Sequence, residues 1–132
     1  MSAPTHLKHK PIVSTVQYEN NDGKHAGNTD AKALSIGEAQ YESGEISAKI
    51  WRNTGTKWSR QSEEMPLHRA LDLSILIIAS LKRKDSEKKT SLNEIYLDSQ
   101  SKITDYYMQN KQWLDPRIDE LEKLIEEFRR KP

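Results

Sequence analysis

The sequence predicts an α+β fold, in which a small N-terminal antiparallel sheet of three or four strands packs on two long C-terminal helical segments. In the first half of the chain, short segments with alternating apolar and polar residues lie between clusters of turn formers, a pattern typical of strands. After Pro66 the apolar residues instead recur every three or four positions, as on helices. The 132 residues have room for one domain.

In the clearest predicted strand, Ile46, Ala48 and Ile50 alternate with Ser47, Lys49 and Trp51 between two turn signals. We expect the sheet to extend over 11–61, with further strands starting at Pro11 and running through 57–61. The segment 31–41 fits either a helical turn or a strand.

Residues 1–10 are polar and basic, and we expect them to form a flexible arm ahead of a single domain, 11–132. His6 and His9 fall in this arm and are expected to be solvated.

Two helical segments are predicted, 66–84 and 92–130. Pro66 suits the first position of a helix. The first segment is apolar on most sides, which suggests a subunit interface. Pro116 either starts a separate helix or bends a continuous one, so the second segment is one helix or two. Its last part carries a single apolar stripe, formed by Ile118, Leu121, Leu124, Ile125 and Phe128.

Composition excludes several classes of function. Lys and Arg number 21 against 20 Asp and Glu, and this balance disfavours a dedicated nucleic-acid binder. The absence of cysteine excludes disulfides, thiol nucleophiles and cysteine-based metal sites. No signal peptide or membrane-spanning run is recognisable, so we expect a cytoplasmic protein that has no membrane partner.

Catalytic motifs are also missing from the sequence, so we predict no enzyme activity, no catalytic residue, no bound metal and no cofactor. No serine lies in a G-x-S-x-G elbow, and the histidines lack metal-ligand spacing. Glu64 and His68 could form an acid–base pair on a nucleotide substrate. The simpler interpretation is that Glu63 and Glu64 stabilise the start of the following helix.

The segment 51–61 is the best candidate for a ligand site, because it places two tryptophans, two arginines and a lysine around one turn. Guanidinium groups bind phosphates and aromatic rings can stack on a base. The alternative, in which Trp51 and Trp58 are core residues and the basic groups face solvent, remains open. The predicted ligand-binding residues are Asn28, Arg52, Lys57, Trp58, Ser59, Arg60, Gln61 and Arg69.

Four stretches carry a family resemblance: HKPIVS at 9–14, NTDAKALSIGEAQY at 28–41, ISAKIWR at 46–52 and KWSRQSEEMPLHRALDLSILI at 57–77. They resemble small uncharacterised bacterial and phage proteins, a group similar to the Thoeris anti-defence sponges of the first type. The resemblance implies a non-enzymatic phage protein in the host cytoplasm that sequesters a cyclic ADP-ribose isomer, glycocyclic ADP-ribose, between subunits of a dimer or hexamer. Some such sponges also bind cyclic oligonucleotides.

The small anionic nucleotide is therefore the expected partner, together with further copies of the chain. The alternative function is a helical interaction module that inhibits a defence or toxin protein by direct contact. Exposure of the apolar stripe at 118–128 would favour that alternative.

Overall fold

The structure is a computed structural model that describes residues 1–59, 63–81 and 100–130. It confirms the predicted α+β arrangement: an antiparallel sheet of four strands, in the order β1-β2-β3-β4, precedes two helices. The strands are β1 (Lys10–Ser14), β2 (Ala31–Glu38), β3 (Ile46–Arg52) and β4 (Glu64–Pro66), and the helices are α1 (Leu67–Leu81) and α2 (Gln100–Arg129). The chain divides into two compact units, 1–74 and 75–132.

The sheet buries a polar face. Along β3, Ser47, Lys49 and Trp51 are each less than 8% exposed, whereas Ala48 and Ile50, which point to the opposite side, are half-buried. Buried polar side chains on a strand require partners, because an unsatisfied buried group costs about 1–3 kcal/mol. The partners of this face lie on the neighbouring strands and on the N-terminal segment.

The N-terminal segment differs from the expected flexible arm of residues 1–10. His9 is fully buried and Pro4 is buried, Ser2 forms a bridge with Val16, and β1 already begins at Lys10. The histidine is buried because strands distant in sequence supply its hydrogen-bond partners. The segment therefore contributes to the core of unit 1–74.

The fourth strand lies later in the chain than predicted. The expected strand at 57–61 is represented only by an isolated bridge between Trp58 and Asn53, and residues 60–62 lie outside the described part. β4 instead pairs Met65 with Ala48 and Pro66 with Ser47. Proline is tolerated there because β4 is an edge strand. Pro66 thus ends β4, and α1 begins one residue later.

Two helices are present, as predicted, but Pro66, which was expected at the first helical position, is the last residue of β4. The ends of the predicted segments at 82–84 and 92–99 lie outside the described residues. Within α2, Asn110 has non-helical backbone angles (φ −121°, ψ 15°), while Pro116 lies inside the helix. The interruption thus falls at Asn110, where the side-chain amide donates to the carbonyl of Tyr106 at 2.8 Å. Neither of the two described helices has the length and apolar character needed to cross a membrane.

Candidate functional site

A buried hydrogen-bond network, here called the His9 network, joins four separate parts of unit 1–74. His9 Nε2 lies 3.0 Å from Ser35 Oγ on β2, and His9 Nδ1 lies 2.9 Å from Ser47 Oγ on β3. Ser47 donates to Glu64 Oε2 on β4 at 2.8 Å, and Trp51 Nε1 donates to Ser35 Oγ at 2.8 Å. The network thus ties the N-terminal segment to three strands.

Counting protons fixes the tautomer of His9. The single hydroxyl proton of Ser47 is directed at Glu64, so Ser47 Oγ must accept from His9 Nδ1–H. His9 Nε2 of the neutral ring is then an acceptor for the Ser35 hydroxyl, while Ser35 Oγ accepts from Trp51. Every proton in this chain has a partner, and the chain ends on the Glu64 carboxylate.

The charge states follow from burial and from these partners. Burial lowers the pKa of His9 below its ordinary 6.5 and outweighs the hydrogen bond and charge of Glu64, which act in the opposite direction. Burial alone would raise the pKa of Glu64, but hydrogen bonds from Ser47 and from the Gln40 amide, with the charge of Lys49, lower it overall. The network therefore holds a neutral imidazole beside an ionised carboxylate.

Lys49 supplies the counter-charge of the network. Its Nζ lies 3.9 Å from Glu64 Oε1, and both side chains are 5% exposed. The same ammonium lies 4.1 Å from the centroid of the Trp51 ring, a favourable cation–π distance. Because Glu64 is committed to these partners and His68 is exposed on α1, the acid–base pair considered from the sequence has no support in this geometry.

The other face of β3 borders a polar cavity of about 460 Å³. Two 3₁₀ turns, Tyr18–Asn20 and Gly23–His25, fold the loop between β1 and β2 into one side of it. The lining residues are Tyr18, Asp22, His25, Asn28, Thr29, Asp30, Ala31, Ile50 and Arg52. Its volume lies in the range of small-molecule sites, about 300–1,000 Å³.

Arg52 is the most constrained side chain of this cavity. Its Nη1 donates to Asp30 Oδ1 at 2.6 Å, and its Nε and Nη2 donate to Glu63 Oε1 at 3.1 and 2.8 Å. These hydrogen bonds, first to Glu63 and then to Asp30, raise the pKa of Arg52, so the guanidinium stays charged. The two carboxylates use three of its five N–H groups and balance its charge, so this guanidinium attracts a phosphate less strongly than an unpaired one would.

A second, mainly apolar cavity of about 510 Å³ adjoins the polar one. Tyr18 and Ile50 line both cavities. Its other lining residues include Val13, Leu34, Ile36, Ala48, Met65 and Glu63. The Arg52–Glu63 pair joins a residue of one cavity to a residue of the other. The combined surface can accept a ligand that has a polar, hydroxyl-bearing part and a flat apolar part.

Six of the eight residues predicted to bind a ligand lie in the described part of the chain, and two of these six line the same cavity. Asn28 and Arg52 line the polar cavity. Lys57 and Arg69 are exposed, on the 53–58 turn and on α1. Trp58 is half-buried with its ring centroid 5.7 Å from that of Trp51.

The remaining predicted residues lie near that turn or outside the description. Ser59 donates its backbone N–H to the Arg52 carbonyl at 2.8 Å, and Arg60 and Gln61 are outside the described residues. Of the two interpretations left open for the tryptophans, Trp51 fits the core one, at 1% exposed.

Sequence reasoning missed two groups of residues. The cavity residues Tyr18, Asp22 and Asp30 lie in or beside a turn-rich loop whose concentration of polar groups was a usable signal. The network serines, Ser35 and Ser47, carried no local signal, since isolated serines on strands are common on solvated faces. Among the residues that the structure describes, no three His, Asp or Glu side chains converge to hold a metal ion.

Comparison with known proteins gives a family without an assigned activity. No curated protein and no solved structure matches the chain. A family profile described as a family of unknown function (DUF6530) matches residues 1–103, which include the whole sheet, both cavities and the His9 network. The match covers most of the chain, which therefore belongs to the family of unknown function DUF6530.

Proposed function

We propose that this protein captures a small nucleoside-containing metabolite in the polar cavity and its apolar neighbour, and holds it without breaking a bond. The observation that supports this most is the lining of the polar cavity, where Asn28, Tyr18 and the Asp30–Arg52 pair surround about 460 Å³. Ribose hydroxyls can donate to carboxylates and accept from an amide or guanidinium. A base suits the apolar surface beyond Ile50.

Preorganisation favours a binding role. The Tyr18 hydroxyl donates to Asp22 at 3.1 Å, and Arg52 is fixed by Asp30 and Glu63. Groups held before the ligand arrives lose less entropy on binding, which raises affinity. Trp51 belongs to the His9 network and Arg52, the next residue of β3, lines the cavity on the opposite face. The network therefore helps to hold this part of β3 in place.

Sequestration of glycocyclic ADP-ribose is the specific form of the proposal. This isomer carries riboses and a purine beside its phosphates, and it is the ligand that the resemblance to Thoeris anti-defence sponges implies. The double ion pair of Arg52 leads us to expect that the nucleoside part, more than the phosphates, makes the cavity contacts.

Calorimetric titration with three probes tests the proposal: glycocyclic ADP-ribose, adenosine and inorganic pyrophosphate. We expect the cyclic isomer to bind and to be recovered unchanged after the complex is denatured by heat. Binding of adenosine alone would keep the ligand class and reject the sponge function. Binding of pyrophosphate alone, binding of none of the three, or recovery of a hydrolysed product would overturn the proposal.

Variants locate the site. Asn28→Ala removes a polar group of the cavity wall and should weaken binding about tenfold or more, as expected for the loss of one hydrogen bond. Asn20→Ala is the matched control, because Asn20 is exposed and does not line either cavity. Equal affinity of the two variants would place the ligand elsewhere.

A further inference from the structure

The last part of α2 carries a heptad repeat. Its apolar residues are spaced by four, three, four and three positions, and they are Leu114, Ile118, Leu121, Ile125 and Phe128, here called the heptad stripe. The exposed fraction is 39% for Leu121, 49% for Ile125 and 83% for Phe128. Leu114 and Ile118 are half-buried, so the exposed row is the C-terminal part of the stripe, and such a row of large apolar side chains marks an interaction surface.

We propose that the heptad stripe pairs with the same stripe of a second copy of this chain, in a parallel two-stranded coiled coil. The spacing places Ile118 and Ile125 at a positions, and Leu114, Leu121 and Phe128 at d positions. Isoleucine at a with leucine at d favours two parallel strands over higher oligomers. The residue types of the stripe therefore favour two strands in a parallel coiled coil, and the flanking charges bear on the partner and its orientation.

The charges beside the stripe fit a second copy in the same register. Arg117 occupies a g position and Glu122 the following e position. In a parallel coiled coil these two positions face each other across the seam, so Arg117 of one copy lies beside Glu122 of the other. The pair occurs twice in a symmetric dimer, once on each side.

The outer face of α2 after Arg117 is polar, as the outer surface of a coiled coil requires. The residues at the b, c and f positions after Arg117 are exposed and charged, and they are Asp119, Glu120, Lys123, Glu126, Glu127 and Arg130. Leu124, at a g position, widens the apolar seam and is 52% exposed. The non-helical backbone at Asn110 ends the regular helix on the N-terminal side. Since the stripe covers about two heptads, we expect a dimer that dissociates on dilution.

Sedimentation equilibrium over a concentration series is the first test. We expect the mass to rise from 15.3 kDa towards twice that value. Ile125→Asp places a charge in the seam and should abolish the dimer, whereas Lys123→Asp introduces the same residue at an f position and should leave the dimer intact. A wild-type protein that stays monomeric at its highest soluble concentration overturns the proposal and leaves the stripe for another protein, such as a defence or toxin component.

Charge reversal tests the register. Arg117→Glu and Glu122→Arg should each weaken the dimer, because each places like charges together, and the double variant should restore it. Circular dichroism of each variant checks that the helix content is unchanged. Failure of the double variant to recover, with the helix content retained, contradicts the parallel register.

A disulfide tests the orientation, since the native chain contains no cysteine. Phe128→Cys should give a covalent dimer on mild oxidation, because parallel helices bring the two copies of position 128 together. Lys123→Cys, on the outer face, is the control and should stay largely monomeric under the same conditions. Equal cross-linking of both variants indicates random collision and counts against the proposed seam.

Discussion

Replacing Ser47 by alanine tests whether the His9 network stabilises the fold. Ser47 is fully buried and takes part in two hydrogen bonds, one to the Glu64 carboxylate and one from His9 Nδ1. The substitution removes the hydroxyl and leaves the rest of the strand unchanged. Lys49, the next residue on the same face of β3, cannot replace this oxygen, because an ammonium group has no acceptor for the His9 Nδ1–H.

The size of the effect follows from the two partners. A hydrogen bond to a charged group contributes about 1.5–3 kcal/mol, and an orphaned buried donor costs about 1–3 kcal/mol. The two losses overlap, since His9 Nδ1 already lies 3.4 Å from Glu64 Oε2 and can move towards it. Glu64 Oε2 also keeps the Gln40 amide as a donor. We therefore expect the free energy of unfolding to fall by about 2–3 kcal/mol.

Urea unfolding followed by tryptophan fluorescence measures this loss. A Trp113→Phe background leaves Trp51 and Trp58 as probes, so the signal reports on unit 1–74. Ser14→Ala is the matched control: the same change at an exposed position of β1 should alter stability by no more than about 0.5 kcal/mol. If Ser47→Ala and Ser14→Ala lose equal stability, the network does not stabilise the fold in the way inferred.

Two further outcomes are expected. The pKa of His9 is lowered in the folded state, so on acidification the imidazole is protonated in the unfolded chain before it is protonated in the folded protein. The free energy of unfolding should therefore fall as the pH drops below 6.5. The expected loss is up to about 1.4 kcal/mol per pH unit. Urea titrations from pH 7.5 downward measure it, and an unchanged slope in His9→Gln would contradict it. Gly37→Ala should destabilise the protein by about 1–3 kcal/mol, since a β-carbon there would overlap the backbone of Lys10 and Pro11. Thermal melting measures this effect, and an unchanged melting temperature would show that β1 can shift away.

Local patterns predicted the secondary structure well where the signals for a strand or helix lie within that segment and the turns beside it. The strand predicted from the alternation of 46–51 lies within β3, because its turn signals on both sides are local. The ambiguous segment at 31–41 became β2, over Ala31–Glu38, because β1 and β3 pair with it on either side. The residue pattern of 31–41 alone could not show that two other strands pair with this segment.

The faces of the sheet could not be predicted in the same way. Alternation alone would place Ile46, Ala48 and Ile50 inside. The structure buries Ser47, Lys49 and Trp51 instead. A polar residue becomes suitable for a core only when its partners are present, and those partners belong to other strands.

The residues of the candidate site were likewise predictable in part, whereas their contacts were not. The sequence predicted Arg52 and Asn28 to bind a ligand, since a guanidinium and an amide are suited to polar ligands, and both residues line the polar cavity. It did not reveal that Asp30 and Glu63, 22 and 11 residues away in the chain, already hold the guanidinium. The expected direct phosphate contact thus became a proposal centred on the nucleoside part.

By itself, the sequence determined the α+β class, the strand at 46–51 and the apolar stripe at the end of α2, because each pattern involves residues that are close together in the sequence. Only the tertiary structure decided that His9 belongs to the core. Its partners lie 26, 38 and 55 positions away, and hydrogen bonds over such separations depend on strand pairing, which no local pattern encodes. The same pairing decided where the cavities form.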